Sequence, residues 1–266
     1  MEARLSISKL FKAKISENLA LSSDIYRLTL SIPSEESLAL GPGQFVMLSC
    51  PGPESVFLKR PFSVANYSNR ELHILYRILG KGTQNLQQIR PGQTIDMIAP
   101  CGNSFSLPPQ GKLLLMAGGM GVAPLSFLCQ RALQSQLFSE IYFFYGTSQN
   151  LDRISFHFSE DNRVHFFHHS DYEKNLYQGH IMNFFEQTKT TNDFVQAYSC
   201  GPTTMMQSFS QWCTTHHIPL QVSLEKHMAC GMGSCYGCSI QTRQGMQSIC
   251  HDGPVFDHLE ILWDKV

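Results

Sequence analysis

Up to about residue 107, apolar and polar residues alternate with a period of two. Tyr26, Leu28, Leu30 and Ile32 share one parity while Arg27, Thr29 and Ser31 take the other, the pattern of a strand with one buried face. Similar runs at residues 44–50, 59–65, 71–78 and 93–98 are parted by turn signals at Gly41-Pro42-Gly43, Asn69 and Pro91-Gly92. Short strands at this spacing predict a small antiparallel β-barrel, interrupted by one short helix at residues 83–89.

At Leu107-Pro108-Pro109-Gln110-Gly111 the rhythm changes. Apolar strands at 113–117, 141–145, 164–167, 194–198 and 220–223 are separated by stretches of helical period, among them 124–133 and 203–216. Strands alternating with helices predict βαβ units and a parallel-sheet α/β domain. From about Leu224 a third, cysteine-rich segment begins. The expected organisation is multidomain β plus α/β: a barrel at residues 1–107, an α/β domain at 108–223 and a small segment at 224–266.

Composition narrows the functional classes. A formal net charge of −1 leaves no basic excess to neutralise nucleic-acid phosphates. No apolar run approaches the roughly 20 residues of a membrane helix, and MEARLSISKLFKAKI has neither the apolar core nor the cleavage site of a secretory signal. The expectation is a soluble, cytoplasmic protein.

Cysteine usage adds chemistry. Of nine cysteines, Cys50, Cys101, Cys129, Cys200 and Cys213 are scattered through apolar segments and read as buried small hydrophobes. The other four cluster as Cys230, Cys235, Cys238 and Cys250, spaced C-x4-C-x2-C-x11-C. In a cytoplasmic protein such clustering points to metal rather than disulfides. The spacing is that of a plant-type [2Fe–2S] site, whereas structural zinc more often uses two C-x2-C pairs; zinc and unligated thiols remain the alternatives. Gly231, Gly233 and Gly237 permit the tight loop whose amides would reach sulfur. The residues between Cys238 and Cys250 read as a hairpin turning at Arg243-Gln244-Gly245, which would return the fourth thiol to the other three. His227 is either a Rieske-type ligand or an exposed histidine.

Several segments suit phosphate and nucleotide binding. Arg60-Pro61-Phe62-Ser63 closes a barrel strand with a fixed cationic fork and a hydroxyl. Leu75-Tyr76-Arg77 is a weaker signal of the same kind, and Asn103 lies in the turn after the last barrel strand. Gly80-Lys81-Gly82-Thr83 opens the barrel helix, where backbone N–H groups and the helix dipole attract anions; Thr83 is expected to serve as N-cap and phosphate ligand together. In the α/β domain, Gly118-Gly119-Met120-Gly121-Val122-Ala123-Pro124 joins a strand to a helix without forming the G-x-G-x-x-G fingerprint. Tyr145-Gly146-Thr147 and Cys200-Gly201-Pro202 likewise end strands, where ligands of open α/β sheets bind. Together the three segments favour a nucleotide site. Cys200 is either a nicotinamide contact or a buried strand-end thiol.

With these motifs in order, the chain resembles the ferredoxin-reductase-like flavoprotein family: R-P-F-S, GKGT, GGMGVAPL and CGPTTMM occur in the family's sequence along almost the whole chain. The tail is similar to the S-L-E-x-x-M-x-C and C-x-D-G-P-V-F motifs of the electron transfer subunits of type B dihydroorotate dehydrogenase, here Ser223 to Cys230 and Cys250 to Phe256. The resemblance implies that Arg60, Pro61, Phe62, Ser63, Leu75, Tyr76, Arg77, Gly82 and Thr83 hold FAD. It implies that Gly119, Gly121, Cys200, Gly201 and Pro202 face NAD(H), and that Cys230, Cys235, Cys238 and Cys250 ligate one [2Fe–2S] cluster. It implies a partner too, an FMN-containing dihydroorotate dehydrogenase catalytic subunit, in a heterotetramer of two subunits of each kind serving pyrimidine biosynthesis. Lys226, His227 and Tyr236 depart from the smaller or acidic residues common in that family, a departure that bears on the docking surface rather than on ligation.

The chemistry of this combination sets a path. A nicotinamide passes two electrons as hydride, an iron–sulfur cluster takes one at a time, and a flavin does both, so the flavin must stand between them. The expected route is partner, cluster, FAD, NAD(H), with no catalytic acid or base in this chain. Two alternatives stand beside it: an NAD(P)H-dependent ferredoxin or hydrogenase reductase subunit of the same family, and a zinc-stabilised nucleotide-binding module. The segment TSQNLDRISF after Tyr145 contains Arg153 but no cluster for a 2′-phosphate, which leans toward NADH.

Overall fold

The structure is a computed structural model describing residues 8–36, 38–54, 56–148, 157–170, 181–188 and 193–266. Six strands close an antiparallel barrel: β1 (Lys9–Ala20), β2 (Ile25–Ser31), β3 (Phe45–Leu48), β4 (Arg60–Ser68), β5 (Glu71–Arg77) and β6 (Thr94–Cys101), in the spatial order β1-β2-β5-β4-β3-β6. Inward side chains such as Ile15, Leu28, Leu30, Val46, Leu48, Val64, Leu72, Ile74 and Met97 are fully buried and fill the interior, as the period-two pattern requires. β1 is absent from the predicted set. Ala13 and Ile15 do face inward between outward Lys12 and Lys14, but alanine adds little apolar signal.

Helix α1 (Lys81–Gln88) interrupts the barrel between β5 and β6. It starts two residues earlier than the sequence pattern indicates, with Gly80 as its N-cap. Its far end is closed by Asn18 of β1, whose Nδ2 donates to the carbonyls of Leu86 at 2.8 Å and Ile89 at 3.1 Å. A side-chain amide thereby satisfies C-terminal carbonyls that a helix leaves unpaired.

The second layer is a six-stranded sheet ordered β14-β11-β10-β7-β8-β9. It comprises β7 (Gly111–Gly118), β8 (Phe138–Thr147), β9 (Val164–Ser170), β10 (Phe194–Cys200), β11 (Leu220–Ser223) and β14 (Val255–Asp257). The first five are parallel, and the cysteine-rich segment supplies β14 as an antiparallel edge paired to β11. Helices α2 (Val122–Ser135), α3 (Ile181–Gln187) and α4 (Thr203–Thr215) connect or cover the strands. In α2, Phe127 belongs to the barrel core while Leu125, Leu128, Cys129 and Ala132 pack on the sheet, so one helix is buried on two sides and cements the two layers.

The last segment forms the hairpin β12 (Ser239–Thr242) and β13 (Gly245–Ser248), joined by Arg243 and Gln244. Cys238, Ile240, Ile249 and Cys250 share a core with Phe45 and Met47 of the barrel and Leu114 and Met116 of the sheet. The cysteine segment is therefore packed against both larger units. No helix among the described residues is long and apolar enough to cross a membrane.

Candidate functional site

A cleft of about 580 Å³ opens where barrel, sheet and cysteine segment meet. That volume lies within the usual range for small-molecule and cofactor sites. Arg60, Pro61, Phe62, Ser63, Leu75, Tyr76, Arg77, Gly82 and Thr83 all line it. Neighbouring strands β4 and β5 bring the first seven together, and α1 brings the last two. Met120 and Ala123 contribute from the start of α2.

One end of the cleft is built for an anion. Arg60 lies across the first turn of α1, close enough that a Cβ on Gly82 would sit 3.5 Å from its Cγ and Nε. Its Nη1 donates to the carbonyl of Leu58 at 2.8 Å, and it pairs with no carboxylate among the described residues. The first turn of α1 carries no acidic residue either, so the guanidinium and the helix N-terminus reinforce one another. Thr83 is not the N-cap. It stands three residues in, where its hydroxyl donates to Gly80 O at 3.0 Å and accepts from the amides of Leu79 at 2.9 Å and Gly80 at 3.2 Å. This reverse cap fixes the glycine turn. The unpaired Arg60 guanidinium beside the N-terminus of α1 and an apolar floor of Phe45, Pro61, Phe62 and Leu75 suit a dinucleotide with a diphosphate and a flat ring, so these residues fit FAD.

The two other residues of the β5 motif act differently from one another. Tyr76 is only 1% exposed, its ring stacked on Tyr26 at 5.5 Å and its hydroxyl donating to Asn18 Oδ1 at 3.0 Å. Burial raises its phenol well above the ordinary range, so it remains a neutral hydrogen-bond donor. Asn18 consequently ties the cleft wall to the end of α1, a role invisible in the sequence because its partners lie 58 and 68 residues away. Arg77 is ion-paired, Nε to Asp24 Oδ2 at 2.7 Å.

In the sheet, the turns around Gly119–Gly121 and Cys200-Gly201-Pro202 come face to face. A Cβ on Gly121 would overlap the Cys200 carbonyl, and one on Gly201 would stand 2.8 Å from Gly118 N. Gly119 differs: its φ is +53° and nothing lies within 4 Å of a Cβ placed there, so its backbone faces open space. Cys200 is 1% exposed, interacts with Ser223, and burial pushes its thiol well above the ordinary value. The other four scattered cysteines are buried too, with Cys50 pushed up to about 11 and Cys101 up to about 12 by burial. Arg153 lies outside the described residues.

The remaining wall comes from residues not singled out as site residues: Ser223, Leu224, Glu225, Lys226, Met228 and Pro254. Glu225 is an exposed residue of the cleft lining, and desolvation raises its carboxyl above the usual range. Met228 precedes Cys230 by two residues, and Pro254 follows Cys250 by four. An extended chain covers at most about 3.6 Å per residue, so the Cα atoms of Met228 and Cys230 are within about 7 Å. Cleft and cysteine loop thus share a wall.

In that loop every clustered sulfur accepts a backbone amide. Met232 N donates to Cys230 Sγ at 3.4 Å, Gly233 N to Cys250 Sγ at 3.0 Å, Gly237 N to Cys235 Sγ at 3.5 Å, and Cys250 N to Cys238 Sγ at 3.4 Å. Cys230 interacts with Cys235, and Cys250 with both Cys238 and Cys230, so the four thiols form one connected group. Four amide-bonded sulfurs at the plant-type spacing fit a [2Fe–2S] cluster. Burial opposes ionisation of Cys230, but the amides of Met232, Cys235 and Ser234 outweigh it and hold the thiol at about 7. Burial and the neighbouring Cys238 push Cys250 up to about 12. His227 is exposed, and Tyr236 stands 72% exposed beside the loop.

Comparison with known proteins matches three successive stretches of the chain. Residues 12–105 match an oxidoreductase FAD-binding domain, residues 115–211 an oxidoreductase NAD-binding domain, and residues 225–262 the iron–sulfur cluster binding domain of dihydroorotate dehydrogenase B. The last match sets aside the zinc-stabilised module. The electron transfer subunit of dihydroorotate dehydrogenase B (NAD(+)) from Caldanaerobacter subterraneus subsp. tengcongensis is 30% identical over 95% of this chain and 98% of its own length. The corresponding subunit from Desulforamulus reducens is 30% identical over 97% of this chain and 100% of its own. In fold, the chain is similar to one in the structure of an NADH-dependent reduced ferredoxin-NADP oxidoreductase, with TM-score 0.81, 24% identity, and 95% and 90% of the two chains covered. Three matched domains in one order, and alignment across nearly the whole length, mean that this chain belongs to the family of dihydroorotate dehydrogenase B electron transfer subunits, oxidoreductase components working with FAD, NAD(H) and an iron–sulfur cluster.

Proposed function

We propose that the chain carries electrons between NAD(H) and an FMN-containing dihydroorotate dehydrogenase catalytic subunit, in the cytoplasm and in pyrimidine biosynthesis. The observation that carries the reading is the shared wall: Met228 and Pro254 line the cleft and continue within a few residues into Cys230 and Cys250. When bound, FAD supplies the exchange between a two-electron hydride carrier and a one-electron iron centre.

The residues divide the work. Arg60 and the N-terminus of α1 neutralise the diphosphate of FAD, while Pro61, Phe62, Ser63 and Leu75 flank its ring. Tyr76 and Arg77 brace that wall through Asn18 and Asp24. Gly82 and Thr83 keep the helix entry open and fixed. Gly119 allows close approach of NAD(H), and Gly121 seats its turn against Cys200, Gly201 and Pro202. Cys230, Cys235, Cys238 and Cys250 hold a [2Fe–2S] cluster. We assign residues 1–107 to the flavin domain, 108–223 to the NAD(H) domain and 224–266 to the cluster domain. The functional unit is a heterotetramer of two catalytic and two electron-transfer subunits.

Anaerobic purification together with the candidate catalytic subunit tests this. Expected are FAD, iron and acid-labile sulfide in this chain, FMN in the partner, and reduction of both flavin and cluster by NADH. Bleaching of the flavin with no reduction of the cluster, or absence of FMN from every co-purifying protein, overturns it.

A further inference from the structure

Asn103 makes four hydrogen bonds to one short stretch of the cysteine segment. Its backbone N–H donates to Gly253 O at 2.6 Å, and its Nδ2 donates to Asp252 O at 3.0 Å and Val255 O at 2.8 Å. Its Oδ1 accepts from Val255 N at 2.9 Å. A single side-chain amide thus pairs with backbone as another strand would, using both its donor and acceptor faces. The turn that carries it is itself anchored: Gln44 Nε2 donates to Gly102 O at 2.7 Å, just ahead of β3.

Packing around this clamp leaves no slack. Gly102 has φ +71°, and a Cβ there would stand 2.5 Å from Pro254 Cδ and 2.8 Å from Gly253 O. Gly43, with φ +95°, would bring a Cβ within 2.7 Å of Val255 Cγ2. The other side of the cysteine loop also docks on the barrel: Gly231 packs so closely on Met47 that a Cβ would meet its Cγ at 2.6 Å. Met47 is the β-ladder partner of Pro61 in the cleft wall. The segment is independently fastened to the sheet through β14 and the bond from Leu224 N to Pro254 O at 2.9 Å.

We propose that Asn103 is a positioning residue for electron transfer: by clamping Asp252–Val255 to the barrel it holds the cysteine loop at a fixed separation from the flavin cleft. The proposal rests on the electron-carrier reading above and adds to it the device that sets the gap. Without the clamp, β14 still holds the segment to the sheet, so the chain keeps its fold while the loop gains freedom relative to the barrel.

The test compares the wild type with Asn103→Ala and Asn103→Asp in the protein loaded with FAD and iron. Asn103→Asp keeps the acceptor for Val255 N but turns an oxygen toward two carbonyls, so it does not rescue. Expected are normal FAD and iron content, an unchanged rate of flavin bleaching by NADH, and severalfold slower reduction of the cluster. Hydrogen exchange supplies a readout independent of turnover: the Val255 amide, whose acceptor is Asn103 Oδ1, loses its protection in Asn103→Ala and keeps it in Asn103→Asp. Cluster reduction at the wild-type rate, or loss of FAD or iron from both variants, overturns the proposal, the second outcome making Asn103 merely structural. Failure of the wild-type cluster to accept electrons from NADH would instead overturn the underlying reading.

Discussion

Gly121 packs directly against the main-chain carbonyl of Cys200, with no room for even a methyl group between them. The opposing atom belongs to a buried strand end and cannot step aside as a flexible side chain would. Gly121→Ala is expected to cost about 3 kcal/mol, the upper end for overpacking, and to raise KM for NADH while FAD content stays normal. Gly119→Ala, which meets only open space but keeps φ at +53°, is expected to cost about 1 kcal/mol. Thermal melting of the two variants side by side checks the order, and equal losses would refute it.

Arg60 lines the cleft with no carboxylate partner among the described residues. Arg60→Ala removes a charge-assisted contact worth about 1.5–3 kcal/mol, which corresponds to FAD binding about 10- to 100-fold weaker. Titration of the stripped protein with FAD, followed by flavin fluorescence, measures this. The iron content of the variant should match the wild type, because Arg60 bonds to Leu58 and Lys59 rather than to the cysteine loop.

Asn18 closes the C-terminus of α1 and accepts the Tyr76 hydroxyl. Asn18→Ala leaves carbonyls of Leu86 and Ile89 and the buried phenol short of partners. The expected loss is about 1–3 kcal/mol, with weaker FAD binding because α1 is no longer tied to the cleft wall. Chemical denaturation gives the first quantity and FAD titration the second.

Removing iron should expose a difference between two of the thiols. Cys230 is half-buried and held at about 7, so in the iron-free protein it ionises as pH rises through 7 rather than near 9. Cys250 is buried and raised to about 12, so it stays protonated throughout. After chelation, iodoacetamide at pH 8 should label Cys230 well before Cys250, as read by peptide mass spectrometry. Equal labelling would contradict the described loop geometry, and labelling of neither in the loaded protein is the matching control.

The sequence by itself determined the elements and the chemistry available to them. Alternation at Tyr26, Leu28 and Leu30 specifies a half-buried strand whatever surrounds it, because side chains leave a strand on alternate faces. The spacing of Cys230, Cys235 and Cys238 specifies a tight thiolate loop for the same local reason. Arg60, Thr83, Gly119 and Gly121 were legible because turns and helix starts impose residue types at fixed offsets. Even there local reading went astray at Thr83, whose hydroxyl caps the turn from the third helical position rather than from the N-cap.

Only the tertiary structure decided what lies beside what. That Asn18 serves Tyr76 and α1 and that Asn103 grips Asp252–Val255 depend on contacts between residues 58 to 152 positions apart, and Met228 and Pro254 close the flavin cleft from the far end of the chain. The same holds for β14, which leaves the cysteine segment to join the sheet beside β11. Such pairings leave no periodic trace along the chain, because they arise from packing two closed layers and a loop around a common core rather than from any local preference.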